Sequence, residues 1–591
     1  MSAVGLAAMT EMTKTVRSED HGAHLSADER ALMAKADVWL DAHAEEFEET
    51  LSRWVAVPSI CDDRYAGIAG AAIAAGDAGG EAECPSASTP LGPAVAQMFD
   101  TAAADMRAMG LQPSDHAGYA LSAAVEDGES RADLPVGGDD EIALISHLDV
   151  VPAGDGWTRA PFRLTREGEF VFGRGVQDCK GPSLVNLFVL RMLRELHVPM
   201  RHRVRALMGG GEETCMNDLR GYLRHERAAK FSVVTDGPFP VNYGQKGILQ
   251  MVLSMPAPGI WRHFTAGSAA NAVPGEASIL LSGFAAGQVE AALAAAPACY
   301  RNVIRWELSA ADDSGYNGFD TAGKAPSVTL HAQGVAGHAA FQAGTVNAIM
   351  LLAGFLSESG LLSGADHAAE LATARALFAI AKSTDGRGLR IACADESGPL
   401  TFNLGKVELD KVEPGLTKIE GGEDGAAQPE DAGQSQCPVG SPSRLLLHCD
   451  SRYPVSVNGT NLEAGLRAAV DAMPGVRVES LHDEPAYRID PNSAACVTLS
   501  RAFNDFFDAD KRPFTMGGGT HSRLLPQSVT FGADFWYMDD IARKVGRPGK
   551  PDGMSADEGG AHSADECVNL RNLLTAAKLY LLALTRLDRV L

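Results

Sequence analysis

The chain has 591 residues, 45% of them hydrophobic, and a formal charge of −25 without any basic block. That length exceeds what a single hydrophobic core serves, so two domains are expected, and the charge argues against nucleic acid or an anionic membrane as partner. No run is long enough to span a bilayer, Met1 to about Leu25 lacks the apolar core of a signal peptide, and the ten cysteines include no C-x-x-C pair, so a reduced, cytoplasmic protein is expected.

In chain order, residues 1 to about 30 read as a tail, and Tyr65 to about Ser88, rich in Ala and Gly, as a surface insertion. Glu141–Ser146 is a short apolar run bounded by acids and reads as a buried strand. It runs into His147-Leu148-Asp149, which puts His147 and Asp149 on one strand face if the strand continues. A ligating imidazole usually gives its second N–H to a carboxylate or carbonyl, yet a lone His-x-Asp is more often a core histidine beside an acid. The segment Gly173-Arg174-Gly175-Val176-Gln177-Asp178-Cys179-Lys180-Gly181 follows, again with a hard donor where an apolar run opens into a loop.

Further on, Val204–Met208 reads as a strand spilling into Gly209-Gly210-Gly211-Glu212-Glu213-Thr214. Adjacent buried carboxylates repel, so Glu212 and Glu213 need a cation or a proton between them. Phe231–Thr235 repeats the pattern and ends at Asp236. Gly421 to about Ser443, almost devoid of large apolar residues, reads as a second insertion, and Lys544 to about Gly560 as a loop or flap. His562 then stands just before an amphipathic helix. These strand-end acids and histidines form a candidate metal-ligand set.

On these residues the chain resembles the M20 metallopeptidases, and within them the PepV-like, or Sapep (Xaa-His), dipeptidases, with the motifs in the family's order from about Ala36 to Leu591. The resemblance implies that His147 binds one metal with Asp236, that Asp178 bridges two metals, and that Glu213 and His562 complete the second. It further implies that Asp149 orients His147 and that Glu212 is the general base acting on a water that bridges the metals. Mixed nitrogen and oxygen ligands suit Zn²⁺ first, with Mn²⁺ or Co²⁺ possible. Cys179 departs from relatives, which often carry Asp, Asn or Met there, and in the family the peptide bond after the bridging Asp is commonly cis.

The resemblance extends to substrate residues. Gly337-His338-Ala339 is similar to the family's lid motif, which implies that His338 stabilises the oxyanion, although a histidine there could also simply cap the following helix. Asn271, Arg452 and the run Gly518-Gly519-Thr520 resemble the family's anchors for a free C-terminal carboxylate, Arg452 as a bidentate fork and the glycines as an anion nest. His521 stands where relatives often have an aromatic or acidic residue, and no role follows for it. The implied fold is α/β with two domains. A catalytic α/β domain (1–245 and 487–591), with a central mixed sheet flanked by helices, is interrupted by an inserted α+β lid domain (246–486). The expected activity is hydrolysis of dipeptides with free N- and C-termini. Deacylation of N-acyl amino acids or N-succinyl diamines is the alternative, and a non-catalytic peptide- or metal-binding protein is a further one. The long lid implies a monomer.

Overall fold

The computed structural model describes residues 24–62, 89–214, 216–309, 327–339, 342–410, 444–535, 541, 548–554 and 558–591. The segments 65–88 and 421–443, and part of 544–560, lie outside the described residues. Among the described residues the chain forms two compact units, one from Lys246 to Ala486 and the other from the residues up to Gln245 together with Tyr487–Leu591.

The expected N-terminal tail is shorter than 30 residues, because a helix already begins at Ala27. Ser26 Oγ accepts from the Glu29 N–H while the Glu29 carboxylate accepts from the Ser26 N–H, so two otherwise orphaned donors are satisfied. That helix runs to Val55 and buries Trp39, Phe47, Leu51 and Trp54.

In the discontinuous unit the described residues form a mixed ten-stranded sheet. Its centre is four parallel strands in the spatial order Arg203–Gly209, Gly138–His147, Ala229–Val234 and Ser528–Phe531. Ala120–Glu126 and Val241–Gln245 flank them antiparallel. Every residue of Arg203–Gly209, and Glu141 to His147 in its neighbour, is buried, as expected where helices cover both faces of a parallel sheet. The helix Lys180–Glu195 is buried at each position from Lys180 to Leu193 and packs against both the Ala27–Val55 and Leu570–Leu587 helices. The buried stretch includes Lys180, Ser183, Asn186 and Arg191 among its apolar residues.

The Lys246–Ala486 unit has an eight-stranded sheet among its described residues, with antiparallel pairing throughout. Burial alternates along Glu276–Ser282 and Ser327–Gln333, one face packing on the helix Ala348–Glu358. No helix among the described residues is long and apolar enough to cross a membrane.

Candidate metal centre

Three neighbouring parallel strands lead into His147, Glu213 and Asp236, while Asp178 and His562 are carried by turns. His147 is the last residue of Gly138–His147 and lies in register with Gly209, the last residue of its neighbour. Asp236 follows Ala229–Val234, and the Thr235 N–H bonds to the Ile145 carbonyl at 2.8 Å, holding that exit beside the His147 strand. The site therefore lies outside the carboxyl ends of the strands, where open α/β sheets bind ligands. The buried helix secures this edge. Ser183 Oγ is 2.8 Å from both Ser146 Oγ and the His147 carbonyl, and Asn186 Nδ2 donates to Thr235 Oγ1 at 2.8 Å.

Two donor groups emerge, sharing Asp178. One ligand atom from each of His147, Asp178, Cys179 and Asp236 lies within 4.8 Å of the others, and the same holds for Asp178, Glu213 and His562. His147 Nε2 is 2.9 Å from Asp178 Oδ1 and 3.7 Å from Asp236 Oδ2. On the other side His562 Nε2 is 3.2 Å from Asp178 Oδ2 and 3.0 Å from Glu213 Oε2. The peptide bond between Asp178 and Cys179 is cis.

Asp149 ties the parts together. His147 Nδ1 donates to the Asp149 backbone oxygen at 3.0 Å and lies 3.3 Å from its carboxylate, which turns Nε2 toward the acids. The same carboxylate accepts from the N–H groups of Glu212 at 3.2 Å and Glu213 at 3.0 Å. One buried side chain thus orients the imidazole and the acidic turn together.

Four residues given no role from sequence support the centre. Glu566 is fully buried, pairs with Arg174 at 2.7 Å, and accepts from the N–H groups of Gly175, Gln177 and Asp178, so it moulds the loop that presents Asp178. Arg174 also reaches the Ser563 carbonyl, tying that loop to the turn that carries His562. Asp218 and His521 are both buried and pair at 3.1 Å; Asp218 accepts from the Gly211 N–H, and the His521 ring lies edge-on to His147 with centroids 6.4 Å apart. Gly209 is required here, since a β-carbon would come within 1.9 Å of Asp218 Oδ2. An Arg inside a glycine turn was the one local sign that an acid had to come from elsewhere.

The charge balance calls for cations. Burial and then the charge of Asp178 push the Glu213 carboxyl up to about 7 and that of Asp236 up to about 6. Burial followed by Asp236 drives Glu212 well above the usual carboxylate range. Burial also opposes the charge of Asp178, but hydrogen bonds with His147 and His562 outweigh it and hold that carboxyl below its usual range. Four carboxylates around two imidazoles are an excess of negative charge that divalent cations relieve, and oxygen and nitrogen donors of this kind suit them.

The substrate-side candidates fall in both units. In the Lys246–Ala486 unit, strands Ala272–Val273 and Gly337–His338 pair antiparallel with Ala272 opposite His338, and the Asn271 carbonyl accepts from the Ala339 N–H at 2.9 Å. Asn271 and His338 are thereby brought together. Asn403 fixes that turn by donating to the carbonyls of Ala270 and Ala272. The following helix is capped by Asn347, whose side chain accepts from Ile349 and Met350. Arg452 is buried, and its Nε and Nη2 donate to Asp450 at 2.7 and 3.0 Å, so its fork already meets a carboxylate of its own strand.

In the other unit Thr520 is committed to the fold: its N–H and hydroxyl both bond Gln245, and its hydroxyl caps the short helix His521–Leu524. Gly518 and Gly519 do not take positive φ, so the alternation of hand that makes an anion nest is absent from this pair.

Residues 143–586 match the model of Peptidase family M20/M25/M40. "Putative dipeptidase YtjP" of Bacillus subtilis (strain 168) is 25% identical over 460 residues, 76% of this chain and 84% of that protein. "Putative dipeptidase SSP1012" of Staphylococcus saprophyticus is 24% identical over 512 residues, 85% of this chain and 92% of that protein. Among solved structures, human carnosine dipeptidase 1 aligns over 94% of this chain and 99% of its own, at 14% identity and a TM-score of 0.47.

Proposed function

The chain belongs to Peptidase family M20/M25/M40, and on that premise we propose that it is a metal-dependent dipeptidase cleaving short peptides with free termini. His147, Asp178 and Asp236 would hold one divalent cation and Asp178, Glu213 and His562 a second, Zn²⁺ in first place. Such ions supply Lewis acidity, lowering the pKa of a water and polarising a scissile carbonyl.

The chain's own residues divide the remaining work. Glu212 belongs to neither donor group, yet it shares its turn with Glu213 and both N–H groups hang on Asp149. A carboxylate held beside the donors without being one of them is the observation that carries this reading: Glu212 accepts the proton of the attacking water and returns it to the leaving amine. His338 is assigned to donate a hydrogen bond where negative charge develops on the carbonyl oxygen. Asn271 and Arg452 are assigned to the substrate's termini, and no anion nest is assigned at Gly518–Gly519. The chain is taken to act as a monomer.

Glu212→Gln tests the base assignment. The variant is expected to bind the same metal complement as the parent, measured by elemental analysis, while kcat falls by a factor of about 10²–10⁴. Substantial residual turnover with metals in place would remove Glu212 from that role.

A further inference from the structure

The two donor groups are unequal, and the inequality comes from Cys179. The Asp178–Glu213–His562 group has three donors, whereas the group around His147 has four, the fourth being a thiol. Cys179 is completely buried, and its Sγ faces the Thr235 carbonyl at the weak distance of 3.9 Å, so hydrogen bonding leaves the sulfur largely unengaged. It is fixed from both sides. Its carbonyl accepts from the Ser183 N–H at 2.9 Å, and the preceding residue, Asp178, is held through its N–H by Glu566. Among the other cysteines of the described residues, none lies in such a donor group.

Resting on the metal-dependent reading above, we propose that Cys179 is a metal ligand. It is a fourth protein donor beside His147, Asp178 and Asp236, next to the three-donor Asp178–Glu213–His562 group. A sulfur donor also changes which ion is kept: thiolate favours Zn²⁺ and Co²⁺ over the harder Mn²⁺ and Mg²⁺. The thiol loses its proton to the solvent as the ion binds, and no other bond changes. The group with the sulfur donor is then expected to hold a thiophilic ion more tightly than the Asp178–Glu213–His562 group.

The test is cobalt substitution read by absorption spectroscopy, without any assay of turnover. Metal-depleted full-length protein is loaded with Co²⁺, its metal content is measured, and the near-ultraviolet region is examined for the sulfur-to-cobalt charge-transfer band. The parent is expected to bind cobalt and show the band; Cys179→Ser is expected to bind cobalt without it. In competition between Zn²⁺ and Mn²⁺, the same substitution should lower the preference for zinc about tenfold or more. Cobalt bound by the parent without the band overturns the ligand role and leaves the metal-dependent reading standing. A band that persists in Cys179→Ser places the sulfur elsewhere and likewise overturns it. No cobalt bound at all removes the metal centre, and the ligand role with it. Should the serine variant not fold, judged by circular dichroism, the parent's spectrum together with Cys179→Ala decides.

Discussion

Asp149 is where the geometry of the centre concentrates, because one carboxylate faces the His147 ring and accepts both N–H groups of the Glu212–Glu213 turn. Replacing it by Ala frees the imidazole to rotate and leaves two N–H groups without their acceptor. The expected result is a loss of metal affinity of about 10–100-fold, measured by competition with a chromogenic chelator, with the fold retained by circular dichroism. Unchanged affinity would show that His147 is oriented by its backbone contact alone. At this scale the sequence was readable wherever an apolar run ends in an acid or histidine, as at His147, Glu212, Glu213 and Asp236. It was opaque where a residue works through a distant partner. Glu566 lies 392 positions from Arg174, and the Asp218–His521 pair spans 303, so no local spacing announces either. Thr520 shows the same limit: its hydrogen-bond partner, Gln245, belongs to a strand whose place beside it only the fold decides.

Among elements, the loop Gly173–Asp178 and the strand Cys567–Asn569 depend on each other. The strand pairs with Phe170–Phe172, and Glu566 at its start neutralises Arg174 within the loop. Glu566→Ala would leave a guanidinium buried without a counter-charge and three backbone N–H groups without an acceptor, so a destabilisation of about 3–5 kcal/mol is expected in denaturant unfolding. A cost near zero would mean that water reaches the site. A second clasp joins three helices: Arg586, in Leu570–Leu587, bonds Glu29 in Ala27–Val55 at 2.8 Å and Asp505 in Ala494–Phe507 at 2.6 Å. The bond to Arg586 lowers the Glu29 carboxyl from 4.5 to about 2. A depressed carboxyl contributes stability that is fully present above its unfolded value and is lost as pH falls toward the folded one. Glu29→Gln should therefore lower Tm near neutrality, and the difference from the parent should shrink between pH 4.5 and about 2. A difference independent of pH would assign the effect to packing. The capping box Ser26-x-x-Glu29 starts the first helix at Ala27, inside the segment read from sequence as a tail. The pairing of Ala229–Val234 with Ser528–Phe531 was not legible in the sequence, because parallel neighbours so far apart share no turn from which a register could be read.

For the whole molecule, the central sheet of the discontinuous unit is finished only by a strand that follows the Lys246–Ala486 unit in sequence, and the last donor, His562, comes later still. Both ends of the chain thus contribute to one acidic, metal-suited pocket, within a protein whose net charge of −25 favours cations over anions as its ligands. The strand-end donors were legible because period and punctuation are local, whereas the mixed sheet was implied by the family resemblance. The inequality of the two donor groups was not legible, since it depends on where the Cys179 sulfur falls once Asp178 is in place. The central claim is metal-dependent cleavage of dipeptides. Its most direct test is to compare chelated and metal-reconstituted protein on a panel of dipeptides, tripeptides and N-acetyl amino acids. The account predicts no turnover without metal and, with metal restored, the highest kcat/KM on dipeptides with free termini; higher kcat/KM on N-acetyl amino acids, or activity indifferent to chelation, would contradict it.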